Sequence, residues 1–257
     1  MPKDQCFDGI AHKFSKNIYG SVKGEIRTRV VWQDLQKILN QATRTRPLRV
    51  LDAGGGFGYF SQKLATLGHQ VVLCDLSAEM LDLARQQIEA AGLCERITLL
   101  HCGIQELGEH LKQPFDLVLC HAVLEWLADP ETTLEYLYPF VKEGGDLSLL
   151  FYNRDGLLYH SLLMGHFDYI ERGLKTRKTQ KLTPNNPQRP QDVASWLEGA
   201  GFTISGKTGV RVIYDYMRHP EVGREQSETL FEMELRYCRE EPYASLGRYM
   251  HFMAKKS

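Results

Sequence analysis

Between Leu48 and Phe151, apolar runs and mixed segments alternate with a regular beat. "LRVLDA" is a short apolar run, and the stretch after it spaces Phe60, Leu64 and Leu67 on one helical face, with Gly68 as its stop. "QVVLCD" reads as the next strand. Ser77 has the residue type and position of an N-cap for a helix that uses Met80, Leu81, Ala84 and Ile88 and closes near Gly92. "RITLLHC", "FDLVLC" and "DLSLLFYN" supply three more strands, with helical material between the last two. Strands alternating with helices predict an α/β fold, a mostly parallel sheet with helices on both faces. A ligand of such a sheet lies beyond the carboxyl ends of its strands.

Two regions fall outside this beat. Residues 1–47 read as a helical extension over the ligand site, with Trp32, Leu35, Ile38 and Leu39 on one face. Residues 48–257 form the main domain, with a basic insertion around 154–190. Beyond it, "DVASWLEGAGF" is a helix with a glycine stop, and "ISGKTGVRVIYDY" and "LGRYMHFMAKK" read as strands that complete the sheet.

Composition narrows the class. The 257 residues are 43% hydrophobic and 25% charged, which suits a globular chain, and the net charge of -1 argues against wholesale polyanion binding. One stretch departs from that balance: Arg172 to Arg189 carries six Lys or Arg, no acids, and prolines. The start, "MPKDQCFDGIAHKF", lacks the apolar core of a signal peptide, and no apolar run is long enough to cross a bilayer. The six cysteines include no Cys-x-x-Cys pair, and those ending apolar runs read as small core residues of a reducing compartment. The expectation is a cytoplasmic protein with no metal and no membrane partner.

The candidate chemistry begins with "RVLDAGGGFGYF". A dinucleotide fingerprint needs a glycine at position 59, which is Tyr59, and no Lys-Ser/Thr follows to make a triphosphate loop. The pattern present is Asp52, Gly54, Gly56 and Gly58 in alternation, with Gly55 inside it. Glycines here let a ligand approach the backbone without meeting Cβ atoms. The ligand expected lacks phosphates and carries an amino-acid tail and a ribose. Asp52 is placed to orient the tail, and Asp75, closing the next strand, to accept both ribose hydroxyls. Helix capping is the competing role for both acids.

This arrangement resembles the class I S-adenosyl-L-methionine-dependent methyltransferases, whose Rossmann-like seven-stranded sheet would take the two late strands as its last pair. A closer resemblance runs nearly end to end. "FDGIAHKFSKNIYGSVKGEIR", "LDAGGGFG", "CDLSAEM", "HAVLEWLADP", "LSLLFYN", "GKTGVRVIYDY" and "RYCREEPYASLGRYMH" are similar to the bacterial tRNA 5-carboxymethoxyuridine methyltransferases. That resemblance implies a tRNA methyltransferase that esterifies the carboxylate of 5-carboxymethoxyuridine at the wobble position, giving 5-methoxycarbonylmethoxyuridine, with the anticodon stem-loop as partner. It assigns Arg27 to the carboxylate of the cofactor's tail, Gly54 and Gly55 to the glycine-loop contact and Asp75 to the ribose. Ile104 and Gln105 fall on the adenine side, and His121 on the residue that follows "DLVLC". Many relatives carry an Asp near Gln105, where this chain offers an amide oxygen instead.

A carboxylate nucleophile is already ionised at neutral pH, so its methylation removes no proton and no catalytic base is expected. His121 therefore reads as cofactor-lining, with a base or a polar wall residue as alternatives. Arg211 is the first choice to grip the substrate carboxylate with two parallel bonds, and Arg248 the second. Too tight a grip would lower the carboxylate's nucleophilicity. Tyr152 and Asn153 are candidates to touch the base. Tyr214, Tyr216 and Tyr243 are either stacking surfaces or core. Lys175, Arg177 and Lys178 offer a track for RNA phosphates, against the plain alternative of a solvated face. A small-molecule carboxyl or carbon methyltransferase and a non-catalytic adenosylmethionine- or RNA-binding protein are the competing functions.

Overall fold

The structure is a computed structural model that describes residues 4–9, 20–40, 46–175, 184 and 186–257. Helix α1 (Val22–Leu39) precedes β1 (Arg49–Ala53), α2 (Tyr59–Thr66), β2 (Gln70–Asp75), α3 (Ala78–Ala90) and β3 (Ile97–His101). The short α4 (Leu107–His110), β4 (Phe115–His121), α5 (Pro130–Leu137) and β5 (Val141–Tyr152) follow. Then come α6 (Arg154–Leu163), α7 (Phe167–Glu171), α8 (Pro190–Gly199), β6 (Phe202–Val210), α9 (Pro220–Glu225), α10 (Ser227–Tyr237) and β7 (Tyr249–Lys256). One seven-stranded sheet runs in the order β3-β2-β1-β4-β5-β7-β6. The first five strands are parallel, and β7 runs antiparallel to both of its neighbours. The expected mostly parallel sheet, with the late strands as its last pair, is the sheet observed.

Alternation along the strands divides the core in two. Val50, Leu73, Leu117, Leu119 and Leu150 face one layer, packed by α1, α2, α3 and α10. Leu51, Cys74, Val118, Cys120 and Phe151 face the other, packed by α5 and α8. Helix α1 joins the first layer because Ile26, Val30, Val31, Leu35 and Ile38 recur at helical spacing and are buried. Each such side chain contributes about 1.5–3 kcal/mol by leaving water. Ser21 caps the start of α1 by accepting the Gly24 amide, and Ser77 caps α3 by accepting that of Met80.

The expected N-terminal helix is α1, and residues 4–9 carry no helix. One expectation is corrected. The late strand does not continue through "RVIYDY": β6 stops at Val210, and Tyr214–Tyr216 form a 3₁₀ turn. The cause lies next door. Arg211 adopts a left-handed φ of 61°, which ends extended backbone. The buried Glu234 carboxyl then accepts the amides of Val212, Ile213 and Tyr214 at 2.8, 3.2 and 2.9 Å. One side chain from α10 thus replaces the missing ladder partners of that turn. Glu234→Ala is expected to lower unfolding free energy by roughly 3 kcal/mol, because it strands buried amides. Urea unfolding checks this, and a loss below about 1 kcal/mol would mean that water satisfies the turn equally well.

Candidate active site

A cavity of about 970 Å³, counted to its open mouth, lies beyond the carboxyl ends of β1 to β4. Its floor is the glycine loop between β1 and α2. Gly54 and Gly56 adopt φ of 73° and 60°, and the amides of Gly54 and Gly55 bond back to the Cys74 carbonyl. A Cβ on Gly55 would lie 2.5 Å from the Asp52 carboxyl carbon, and one on Gly54 2.7 Å from Val123. The loop folds only where side chains are missing, which leaves bare backbone along the cavity.

Asp52 is not part of that wall. It is 2% exposed, beneath the loop, and its carboxylate accepts the Ser61 hydroxyl at 2.6 Å. Burial pushes it up to about 6. The expected contact with the cofactor tail is therefore corrected: Asp52 is bonded to Ser61 in the first turn of α2 and supports the loop from below. Asp75 does line the cavity. Its Oδ2 accepts the Gly56 amide and its Oδ1 the Ser77 amide, both at 2.8 Å. Burial raises it above the ordinary carboxylate range against the pull of these two amides. Each oxygen keeps a second lone pair for a ligand hydroxyl.

Residues 4–9 span the cavity as a strap. Asp4 accepts the Ala128 amide at 2.8 Å, the Gln5 amide donates to the Trp126 carbonyl, and Asp8 accepts the Ser77 hydroxyl at 2.6 Å. Asp4 also accepts the side-chain amide of Gln105 at 3.0 Å. That bond occupies the NH₂ group of Gln105 and leaves its oxygen as an acceptor, the polarity an adenine amino group requires. Ile104 and Gln105 form the turn after β3, and both line the cavity. Arg27, from α1, and His121, at the end of β4, also line it. Burial, with His251 and Arg27 close by, holds His121 well below the ordinary imidazole range.

Next to Arg27 lies a second polar cluster, centred on Tyr249. Arg27 and Arg211 each place a guanidinium within 6 Å of its ring, at 5.9 and 5.7 Å, and Tyr152 packs edge-on against it at 5.2 Å. The expected first choice for a substrate carboxylate is corrected here. Both arms of the Arg211 fork hold Asp215 at 2.6 Å, so its bidentate face is already used. Arg248 stands differently: its guanidinium lies 5.4 Å over the Tyr152 ring, and its buried Nη1 has no hydrogen-bond partner among the described residues. Asn153 is also corrected, since its amide donates to the Ser245 and Gly247 carbonyls and its oxygen caps α6 through Asp155. It is fully buried scaffold. Tyr152 and Tyr214 are each 7% exposed, and Tyr216 donates to the Leu246 carbonyl at 2.6 Å, so these rings are packing. Tyr243 is exposed. Lys175 is exposed where the description breaks off, and Arg177 and Lys178 lie outside the described residues.

Sequence reasoning missed Glu125. It is fully buried, and neither carboxyl oxygen has a hydrogen-bond partner among the described residues. Burial pushes it up to about 7, against the charge of Arg27 and nearby amides that are not aligned to bond it. An acid between Leu124 and Trp126 in "HAVLEWLADP" was the available signal. Among the described residues, no three His, Cys, Asp or Glu gather as a metal-holding set, and no helix is long and apolar enough to cross a membrane.

The chain is 50% identical to the tRNA 5-carboxymethoxyuridine methyltransferase of Escherichia coli (strain K12) over 254 residues, spanning 99% of this chain and 97% of that one. It belongs to that family. A "Methyltransferase domain" family matches residues 51–149, from β1 into β5. More distantly, a ubiquinone biosynthesis O-methyltransferase of Xanthomonas euvesicatoria pv. vesicatoria is 30% identical, over 63% of this chain and 65% of its own length. Among solved structures, magnesium protoporphyrin IX methyltransferase of Synechocystis PCC 6803 superposes with a TM-score of 0.68 at 17% identity, covering 98% of this chain and 96% of that one. At that identity the likeness concerns the fold. The chain is thus an S-adenosylmethionine-dependent methyltransferase with a Rossmann-like class I fold. The cavity fits such a cofactor: side-chain-free loop, a carboxylate with spare lone pairs, an amide oxygen and a guanidinium follow one another along it.

Glu125 carries a pH prediction. A carboxyl whose folded-state value exceeds its unfolded one costs stability as pH rises between the two, here from the ordinary 4.5 to about 7. Above that window the cost is on the order of 3 kcal/mol, from about 1.4 kcal/mol per unit. Glu125→Gln is expected to gain stability over the parent progressively from about pH 5 to pH 8. Parallel unfolding curves for the two proteins across that range would mean that Glu125 is ionised and paired.

Proposed function

We propose that this methyltransferase esterifies a carboxylate on tRNA, that of 5-carboxymethoxyuridine at the wobble position, with the anticodon stem-loop as its partner. The carrying observation is the end-to-end likeness to the Escherichia coli enzyme of that name. The charge balance around Tyr249 supports the same reading. Arg27, Arg211 and Arg248 meet there with Asp215 as ionised partner, while Glu125 is held protonated up to about pH 7. Guanidinium outnumbers carboxylate, and a cluster of that kind favours anions.

In this reading the carboxylate of the cofactor's amino-acid tail pairs with Arg27, and the glycine loop at Gly54, Gly55 and Gly56 runs along the cofactor. The ribose hydroxyls donate to Asp75, and the adenine lies against Ile104 with its amino group on Gln105. Bound there, S-adenosylmethionine supplies an electrophilic methyl carbon. The protein has to present one carboxylate oxygen in line with it and remove water from that oxygen. Positioning of this kind is worth up to about 7–11 kcal/mol of barrier. Arg248, over the Tyr152 ring and with Nη1 unpartnered among the described residues, takes the other oxygen and leaves the nucleophile its lone pair. Arg211, tied to Asp215, contributes charge rather than a grip. Lys175, Arg177 and Lys178 track the RNA phosphates.

Labelled methyl transfer to tRNA carrying 5-carboxymethoxyuridine tests the reading, beside tRNA with unmodified uridine at that position. Base-labile label on the first alone is expected, and label on both would refute carboxyl esterification. Arg248→Ala is expected to lower kcat/KM for the carboxylated tRNA by about 30- to 100-fold, the size of a lost charge-assisted bond, with cofactor affinity within about twofold. Arg211→Ala, by stranding Asp215, is expected to reduce thermal stability as well as activity. A greater selective loss at Arg211 than at Arg248 would reverse the assignment. Reversing charge at Lys175, Arg177 and Lys178 together is expected to weaken tRNA binding and flatten its salt dependence by about 1–3 units of log–log slope while sparing cofactor binding. An unchanged slope would remove the basic segment from the interface.

A further inference from the structure

Helix α6 begins at the Arg248 corner and is locked there by backbone. A Cβ on Gly156, in its first turn, would lie 2.5 Å from the Gly247 carbonyl oxygen, and the Asn153 amide at its N-cap donates to the carbonyls of Ser245 and Gly247. The Tyr216 hydroxyl donates to the Gly156 and Leu246 carbonyls at 3.1 and 2.6 Å, which ties the same turn to the segment that delivers Arg248. From that anchor α6 runs ten residues, or about 15 Å at the usual helical rise. Its inner face is core: Leu157 clusters with Tyr152 and Leu174, and Tyr169 and Ile170 of α7 pack against them.

The outer face has no such cover. Of the ten large apolar or aromatic side chains exposed among the described residues, five fall between Tyr159 and Phe167. Tyr159, Leu162 and Leu163 are neighbours at i, i+3 and i+4 on one side of α6. Met164 ends the helix, and Phe167 opens α7 just past the left-handed turn at Gly165. Leu163 is 54% exposed, Met164 51% and Phe167 63%. A surface helix ordinarily turns polar residues outward, and α6 turns leucines. Single apolar side chains on a surface are ordinary, whereas a run of them marks a surface that binds a partner.

What stands at either end of this face selects the partner. At its start, the Tyr159 ring lies 5.6 Å from that of Tyr216, and burial and then the charge of Arg248 pull His160 below the ordinary imidazole range. The apolar face is therefore continuous with the corner given above to the substrate carboxylate. Beyond α7, the stretch Arg172 to Arg189 carries six Lys or Arg and no acids. Asp155, the acid of α6, stands 3.8 Å from Arg189, and the acids of α7, Asp168 and Glu171, would turn a phosphate chain away past Phe167. Apolar planes joined by anionic links match such a surface, and single-stranded nucleic acid has that form. A second copy of this chain laid there would bring cationic ends together and close the corner to substrate. We propose that α6 is a stacking platform for the unpaired anticodon-loop nucleotides beside the wobble nucleotide, with Tyr159, Leu163, Met164 and Phe167 taking base faces while the wobble nucleotide turns in to Arg248. At about 3.4 Å per base, the helix spans about four nucleotides. A nucleotide drawn out of the loop leaves its neighbours without a stacking partner, and the platform replaces it. The platform rests on the tRNA substrate proposed above.

Equilibrium binding of tRNA carrying 5-carboxymethoxyuridine, measured over a range of salt concentrations, tests the platform with Leu163→Ala, Met164→Ala and Phe167→Ala combined. All three side chains are exposed, so Tm is expected to stay within about 2 °C of the parent. The tRNA Kd is expected to rise about 10- to 100-fold, the size of one lost base stack. The same factor is expected at every salt concentration, because stacking releases no counterions. S-adenosylmethionine affinity is expected to hold within about twofold. Phe167→Trp, which keeps an aromatic face, is expected to bind tRNA as tightly as the parent. An unchanged Kd in the triple variant overturns the proposal, and so does a flattened salt slope, which would make the contact electrostatic. A matching loss of Tm and cofactor affinity would reduce these side chains to packing and overturn it too. Sedimentation of both proteins gives the other occupant its outcome: a parent dimer that the triple variant loses assigns the face to a second copy. Failure of the parent itself to bind tRNA would sink the substrate reading, and the platform with it.

Discussion

Strand β7 pairs with β5 in the opposite direction, and the site depends on that reversal. Tyr249 lies across from Tyr152, so the start of β7 meets the end of β5 at the edge of the sheet where the parallel strands also finish. Arg248 and Tyr249 arrive there from one side, and Arg211 from the end of β6, which runs back alongside β7. A parallel β7 would carry Arg248 to the far edge, a full strand length from the cavity. The same pairing seats His251 opposite Leu150, in line with His121 of β4. Backbone hydrogen bonding thus gathers side chains from the last part of the chain beside Arg27, which lines a cavity built from residues up to Leu150.

Charge is then distributed along that edge by burial. Several ionised groups there are tied to partners. Asp215 neutralises Arg211, Arg239 and Lys37 neutralise Asp34, and backbone amides hold Asp75. Glu125 resolves the same problem by keeping its proton, because no aligned donor among the described residues reaches it. Arg248 Nη1 is buried without a hydrogen-bond partner among the described residues.

The position of a polar residue in the chain does not fix the partner it meets in the fold. Asp52 and Asp75 both close apolar runs, but only Asp75 reaches the cavity, because the glycine loop folds over Asp52 and gives it to Ser61. Arg211 and Arg248 look alike in sequence, but a left-handed turn brings Asp215 onto the first, while Nη1 of the second has no hydrogen-bond partner among the described residues. Asn153 had the polarity to touch a base and is spent on three backbone groups instead. In each case the deciding fact is a partner's availability. The alternation of strands and helices, the cap at Ser77 and the glycine loop were legible because they are local.

What the sequence determined by itself was therefore the periodic part of the protein. Alternating apolar positions dictate which residues can face a core, and steric freedom at Gly54 to Gly56 dictates where backbone can meet a ligand. The order of strands, the direction of β7 and the meeting of Asp34, Ser148, His251 and His121 were decided only by tertiary structure. Those residues lie up to 217 positions apart, and nothing in the local chemistry of any one of them selects its neighbours. Hydrogen-bond partners across a sheet are chosen by register, and register is a property of the packed whole.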